Sequence, residues 1–249
     1  GGEEILPPEH ENGQLWKIIQ KTCQFKKTDR YQNVKDSVKE LVKLLYKIEE
    51  DTADKQQYHI GDSVFFGSYP QDKNEAVKPI EWIVLKIEEN KVLLLSKYIL
   101  DTQPYNKYLE NVIWETSDIR RWLNSGFYTT AFNDIEQRKV ADTLVRTENN
   151  PETGTAGGNN TEDKVFLLSI GEVENFFINN EERKAKSTKY AEKKGIFMDH
   201  ERYAGWWLRS PGDDSFSAAV VYDGGWISWI GDDVDSSYEG VRPALWLNL

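Results

Sequence analysis

Cysteine, methionine and histidine are nearly missing from this chain of 249 residues, and each shortage closes off some chemistry. The single cysteine, Cys23, permits neither an intrachain disulfide nor a thiolate zinc site. Three histidines, His10, His59 and His200, stand singly and match no metal-ligand spacing, so the sequence implies no metal and no cofactor. Positive charge is short as well. With 31 Lys and Arg against 42 Asp and Glu, the net charge is −11. That balance disfavours nucleic acid, whose affinity rests on neutralised phosphates, and equally an anionic membrane surface. No apolar run approaches the ~20 residues of a membrane helix, so no membrane insertion is expected. No Gly-x-Ser-x-Gly, phosphate loop or dinucleotide fingerprint occurs. The chain begins Gly1-Gly2 and its only methionine is Met198, so its start reads as truncated or processed. A targeting segment can be lost that way, and the compartment stays open, cell surface and secretion included.

What the chain does contain is ample apolar material, 39% of residues, for a folded core. Residues 1–57 read as a helical segment. Gln14–Cys23 is apolar-periodic, and Val34, Val38, Leu41, Val42, Leu45 and Ile48 recur at three- and four-residue steps, one stripe on a helix of about five turns. That stripe predicts a helix docked on the domain, with a separate interaction helix as the alternative. Asp51–Gln57 is polar and reads as a linker. From Tyr58 the pattern changes. A strand is expected within 59–70, and Ile80–Ile87, the turn Glu88–Lys91 and Val92–Ser96 form a β-hairpin with a buried centre. Ser117-Asp118 starts a helix with apolar Ile119, Trp122 and Leu123, and Gly126 is its expected stop; Phe127, Phe132 and Ile135 mark a second short helical stretch. Thr147–Lys164 is a long polar loop, either mobile or functional. A strand at 165–169 and helices at 171–179 and 188–194, the second ended by Gly195, precede a β-rich end. Helices, hairpin, helices and a β-rich end make an α+β pattern, not alternating βαβ.

That end has a frame and a filling. Trp206-Trp207-Leu208-Arg209-Ser210-Pro211-Gly212 and Gly240-Val241-Arg242-Pro243-Ala244-Leu245-Trp246-Leu247-Asn248-Leu249 are apolar brackets. Between them, residues 213–238 use Asp, Ser, Tyr, Trp and Gly, a vocabulary that gives binding surfaces rigid contact area and adaptable hydrogen bonding. Asp223-Gly224-Gly225 is a tight-turn signal. Arg209 and Arg242 sit in apolar runs; they are either anion-binding groups or, the favoured reading, arginines tied to carbonyls or a carboxylate. Trp206, Trp207 and Trp246 are expected in the core. The cluster Asp232-Asp233-Val234-Asp235 lacks the glycine and glutamate of an EF-hand loop, and Gln103-Pro104-Tyr105 lacks the carboxylate of the calcium-dependent lectin motifs.

Phe65-x-Gly67-Ser68-Tyr69-Pro70, Ile80-Glu81-Trp82, Ser117-xx-Arg120-xx-Leu123-Asn124 and the two brackets, together spanning 58–249, resemble a bacterial domain family of unknown function. That family is similar to the C-type-lectin-like fold of formylglycine-generating enzymes and of the variable proteins of diversity-generating retroelements. The resemblance implies a C-type-lectin-like domain over 58–249 with short antiparallel strands and flanking helices, preceded by the N-terminal helical appendage 1–57. It also implies that 213–238 is a variable segment, with ligand contacts at Asp213, Asp214, Ser215, Ser217, Tyr222, Trp226, Ser228, Trp229, Asp232, Asp233, Asp235, Ser236 and Ser237. Strand alternation puts Trp226 with Ser228 and Trp229 with apolar Ile227, so Trp226 is the better candidate for exposure unless a bulge intervenes.

The function expected is binding of a protein or carbohydrate ligand, a cationic epitope being favoured by the acidic surface. Formylglycine-generating chemistry needs a cysteine pair and is excluded. The alternatives are an interaction module that assembles as a homo-oligomer through its N-terminal helices, and a hydrolase using carboxylates of the same cleft.

Overall fold

Two sheets, several of whose strands are buried on both faces, build much of the core of residues 58–249. The computed structural model describes residues 13–23, 30–31, 33–52 and 58–249, in two compact units, Gly1–Gln57 and Tyr58–Leu249. In the first unit, α1 (Gly13–Thr22) and α2 (Val34–Thr52) pack on one another and Ile18 is buried. The apolar stripe does form on one helix, but Val34, Val38 and Val42 are exposed. The expected linker begins as helix, since α2 runs through Thr52; the remainder, 53–57, lies outside the described residues.

The second unit is mixed α+β with mostly antiparallel sheets. β1 (Ser63–Pro70), β2 (Val77–Glu88) and β3 (Lys91–Ser96) run antiparallel in sequence, and the last strand, β11 (Ala244–Asn248), adds antiparallel to β3. Glu88 pairs with Lys91, so the predicted hairpin closes over Glu89-Asn90. Val92–Leu95 are buried at both parities, which is why this strand reads as a continuous apolar run. The second sheet orders β4 (Asp101–Thr102), β10 (Gly240–Val241), β7 (Trp206–Pro211), β8 (Ser217–Val221) and β9 (Ile227–Asp233), with only β10 and β7 parallel. β5 (Thr143–Val145) and β6 (Thr161–Asp163) pair separately, and β6 lies inside the stretch read as loop.

The motif residues turn out to be fold-holding. Ser117 caps α3 (Asp118–Trp122) by accepting from the Arg120 amide. Arg120 Nε donates to buried Asp163 at 2.7 Å. Gly126 does not stop the helix: a π-turn over Leu123–Phe127 leads into α4 (Tyr128–Ala131), and the chain leaves at extended Phe132. The second expected stretch is thereby split, because Asn133 and Glu136 cap each other's backbone to start α5 (Asp134–Lys139).

The predicted strand at 165–169 reduces to one bridge, Phe166 to Ala244. Its backbone is bonded to side chains instead. Asn124 Nδ2 donates to the Val165 carbonyl and Asn124 Oδ1 accepts from the Lys164 and Val165 amides, while Arg209 Nη1 donates to the Leu167 carbonyl at 2.7 Å. Ser169 and Glu172 then cap α6 (Ile170–Phe176), which ends before the expected 179; α7 (Asn180–Arg183) follows. α8 (Lys189–Lys194) starts at Thr188 and ends at Gly195, whose φ of 100° is the left-handed cap. Among the described residues no helix is long and apolar enough to cross a membrane.

Candidate functional site

The two brackets turn their tryptophans and arginines inward. β7 is buried along its whole length. Trp206 and Trp207 are at 0% exposure, and their indole N–H groups donate to the carbonyls of Arg183 and Gln103. Arg209 donates from Nε and Nη2 to the Arg146 carbonyl, and from Nη1 to the Leu167 carbonyl and the Glu172 carboxylate. Arg242 donates to the carbonyls of Ser96 (2.9 Å) and Arg183 (3.2 Å), with its guanidinium 5.0 Å from the Trp206 ring centre. Burial without a carboxylate partner pulls its pKa down to about 9. Both arginines are therefore structural ties, not free anion binders. Trp246 is also buried, with the ammonium groups of Lys91 and Lys86 over its ring, 4.6 and 5.7 Å from the ring centre.

The segment 213–238 is held differently, by its main chain. Six groups from elsewhere in the fold bind its carbonyls. They are Thr155 Oγ1 on Asp213, the Val112 amide on Ser215, Asn150 Nδ2 on Trp229, the Asn106 amide on Val234, Thr102 Oγ1 on Ser237 and the Phe197 amide on Tyr238. The long loop is thus neither free nor remote. Buried Asn150 also donates to the carbonyls of Pro211 (2.9 Å) and Gly212 (3.0 Å), and its Oδ1 accepts from the Glu152 and Thr153 amides. One amide side chain joins the loop, the first bracket and the edge strand.

With the backbone anchored, most of the predicted contact side chains point outward. Asp213, Asp214, Trp226, Trp229, Asp233, Asp235 and Ser237 are exposed; Ser215, Tyr222, Ser228 and Asp232 are half-buried. Ser217 and Ser236 are buried. The Ser217 hydroxyl closes the β7–β8 turn, sitting within hydrogen-bond distance of Asp213 Oδ1 (3.2 Å) and Asp214 Oδ1 (3.1 Å). Ser215 donates to Asn111 Oδ1.

Both tryptophans surface, Trp226 at 49% and Trp229 at 38%, although alternation favoured only the first. The bulge responsible lies in β9: Val220 pairs with Ser228 and Ala218 with Asp232, so one residue of β8 faces three of β9. Gly231, at φ 83°, makes it possible, since a Cβ there would lie 2.2 Å from the Ala218 carbonyl oxygen. The same bulge exposes Ile230 at 65%.

The bulge also brings Ser228 and Asp232 beside Tyr222, giving an acidic, aromatic face. The segment carries six aspartates and no lysine or arginine. Tyr222 and Trp226 lie 5.5 Å apart between ring centres. Burial, then the charge of Asp232, raises the Tyr222 pKa, against a hydrogen bond to Ser228 that lowers it. Tyr238 is hydrogen-bonded to Ser236 and Asp232. Beneath them is Glu239, which sequence reasoning missed. It is 4% exposed, and burial first, then the charges of Asp232 and Asp223 and a hydrogen bond to Asp232, push its pKa up to about 8. Its Oε2 is buried with no hydrogen-bond partner. The available signal was a lone acid set against the apolar second bracket. Asn150, Asn106 and Thr102 carried no signal, being ordinary polar residues of loops and short strands.

Among the described residues, no group of three or more His, Cys, Asp or Glu side chains is arranged to hold a metal ion. Comparison with curated proteins yields no match, and none of the solved structures matches either. One family does. Its profile covers residues 89–249, both brackets and the segment between them included, while β1 and β2, with their Gly-Ser-Tyr-Pro and Ile-Glu-Trp motifs, fall outside. The chain belongs to the family described as a domain of unknown function, DUF6273.

Proposed function

We propose that residues 213–238 form the ligand-binding surface of a C-type-lectin-like domain spanning 58–249, and that this segment is of the variable kind found in diversity-generating retroelement proteins. The observation that carries the reading is the mode of attachment: six outside donors bind the segment's carbonyls, so its register survives changes of side chain. Exposed Trp226, Trp229 and Ile230 supply apolar anchors, and the aspartates around them favour a protein ligand with a cationic epitope. The reading is of binding without catalysis; Glu239, whose carboxyl burial holds toward its protonated form, has Oε2 sealed from solvent.

Deep sequencing of the gene's 3′ end across a population of the source organism tests this. Substitutions are expected at exposed codons such as 213, 226, 229, 233 and 235, with 206–212 and 240–249 constant. A uniformly quiet 3′ end removes the variable-segment reading and leaves a fixed-specificity binder. A second reading draws on α2, whose exposed Val34, Val38 and Val42 at four-residue spacing suit self-assembly through the N-terminal helices. Sedimentation of the chain with and without residues 1–57 separates the two, since the surface requires no oligomer.

A further inference from the structure

We infer that Tyr108 and Leu109, with Phe216 beside them, form a fixed apolar foothold for a polypeptide segment that carries aliphatic or aromatic side chains among lysines and arginines. This rests on the proposed ligand surface, extends it beyond residues 213–238 and names the chemistry of its partner. The loop 106–112 is stitched to the segment at both ends. The Asn106 amide donates to the Val234 carbonyl at 2.7 Å, and the Val112 amide to the Ser215 carbonyl at 2.9 Å. Ser215 Oγ donates to Asn111 Oδ1, and the Val234 amide donates to the Phe216 carbonyl, so Ser215, Phe216 and Val234 lie side by side along the loop. Inside the loop, buried Asn106 donates from Nδ2 to the Tyr108 carbonyl at 3.0 Å and to the Glu110 carboxylate at 3.1 Å. The Lys107 amide donates to Asp118 Oδ2 at 2.9 Å.

The loop is thus shaped by bonds in which the side chains of Tyr108 and Leu109 take no part. Those side chains are 60% and 51% exposed, Phe216 is 41% exposed, and none of the three belongs to the hydrophobic core. One exposed apolar residue is ordinary on any surface. Three at one corner, presented by a loop already tied down, make an interaction patch that loses little freedom on binding. The charges around it choose the partner. Glu110, Asp214, Asp233 and Asp235 are exposed there, against the single ammonium of Lys107, which sits 5.0 Å from the Tyr108 ring centre. Those carboxylates repel an acidic partner and draw a basic one. Leu109 has neither a ring face nor a hydrogen-bonding group to offer a sugar, so the occupant is a polypeptide. Tyr108 and Leu109 lie outside 213–238. In a varying segment they are common to every copy, while the segment selects which basic epitope is held.

The test selects a random peptide library displayed on phage against the immobilised full chain. Enriched peptides, made synthetically, are then titrated into the parent, Y108S/L109S, L109D and W226S/W229S, each checked for an unchanged denaturation midpoint. Enriched peptides are expected to combine Lys or Arg with Leu, Phe or Trp, and Y108S/L109S should weaken them about tenfold. L109D is the sharper variant, because it adds a carboxylate to an acidic corner. Binding by charge alone would hold or tighten, whereas an apolar foothold loses about threefold to tenfold. Added salt should loosen the parent complex. The foothold is overturned if no peptide enriches, if the enriched peptides are acidic or lack apolar residues, or if both loop variants bind like the parent. It is also overturned if the parent self-associates and Y108S/L109S disperses it, since the corner would then join two copies of the chain. Peptides weakened by W226S/W229S and indifferent to Y108S/L109S would remove the foothold and leave the ligand surface standing. A quiet 3′ end, with peptides that still need Tyr108 and Leu109, would remove the variable segment and leave the foothold.

Discussion

The first bracket and the strands of the segment that follows it share one sheet, yet bracket and segment treat their polar groups in opposite ways. In β7 and around Arg242, side chains are turned inward and bind carbonyls, so each residue's identity matters. In 213–238 six carbonyls are bound from outside, and the acidic side chains and both tryptophans are largely left to solvent. Stability therefore depends on polar side chains in the first region, and in the second on backbone position and a few buried apolar residues. The sharpest way to break this contrast is Arg209→Ala. Removing the guanidinium strips the Arg146 and Leu167 carbonyls of their side-chain donor and leaves half-exposed Glu172 with the Ser169 amide alone, which should cost about 2–3 kcal/mol. Urea denaturation measures it. A loss below about 1 kcal/mol would mean that water replaces the tie and the bracket is not rigid.

Glu239 joins the two regions, and its expected effect is next in size. Its folded pKa of about 8 stands above the ordinary 4.5 because burial comes first among its causes. The folded chain therefore binds the extra proton between those values. Its contribution to stability is intact below about pH 4.5, falls as pH rises to about 8, and is level beyond, by a few kcal/mol at most. The stability gap between E239Q and the parent should widen in favour of the variant across that window. Parallel pH profiles would show that Glu239 ionises freely in the folded state.

Asn150→Ala sharpens the contrast from the loop side. It strips a buried donor from the Pro211, Gly212 and Trp229 carbonyls, at about 2–3 kcal/mol. Hydrogen exchange should speed up at the Gly212 and Asp213 amides, which are bonded to Ser217 and Ile230 across the same corner. Unchanged exchange there would show that the loop rides on the segment without holding it.

Much of the frame was legible before any coordinates. An arginine inside an apolar run has to find partners, so Arg209 and Arg242 could be read as ties from burial cost alone. The hairpin at 88–91 and the helix starts at Ser117 and Thr188 followed from local chemistry. What stayed hidden depends on partners distant in sequence. Residues 165–168 have strand composition, yet Asn124 and Arg209 hold their backbone groups from about forty residues away on either side. Gly126 looked like a stop because the π-turn that absorbs it has no sequence marker. In the site, alternation failed at Trp229 because Gly231 opens a bulge that period-two reasoning cannot see. Glu239 was hidden because its raised pKa comes first from burial and then from the charges of Asp232 and Asp223, all of which only the fold supplies.

The smallest expected effects are the most informative, because they fall on neighbouring codons. In Asp232-Asp233-Val234-Asp235, Val234 is at 0% exposure and its amide donates to the Phe216 carbonyl, while Asp233 and Asp235 are exposed. Val234→Ala removes buried methyls and should cost about 2 kcal/mol. Asp233→Ser and Asp235→Ser change only solvated carboxylates and should stay within about 0.5 kcal/mol in a denaturation series. Fewer like charges in the acidic segment should even make the double variant marginally more stable at low salt, with the difference fading as salt screens it. If the aspartate variants lost as much as Val234→Ala, their side chains would be part of the frame. The anchoring of residues 213–238 through their carbonyls would then no longer explain how the segment is held.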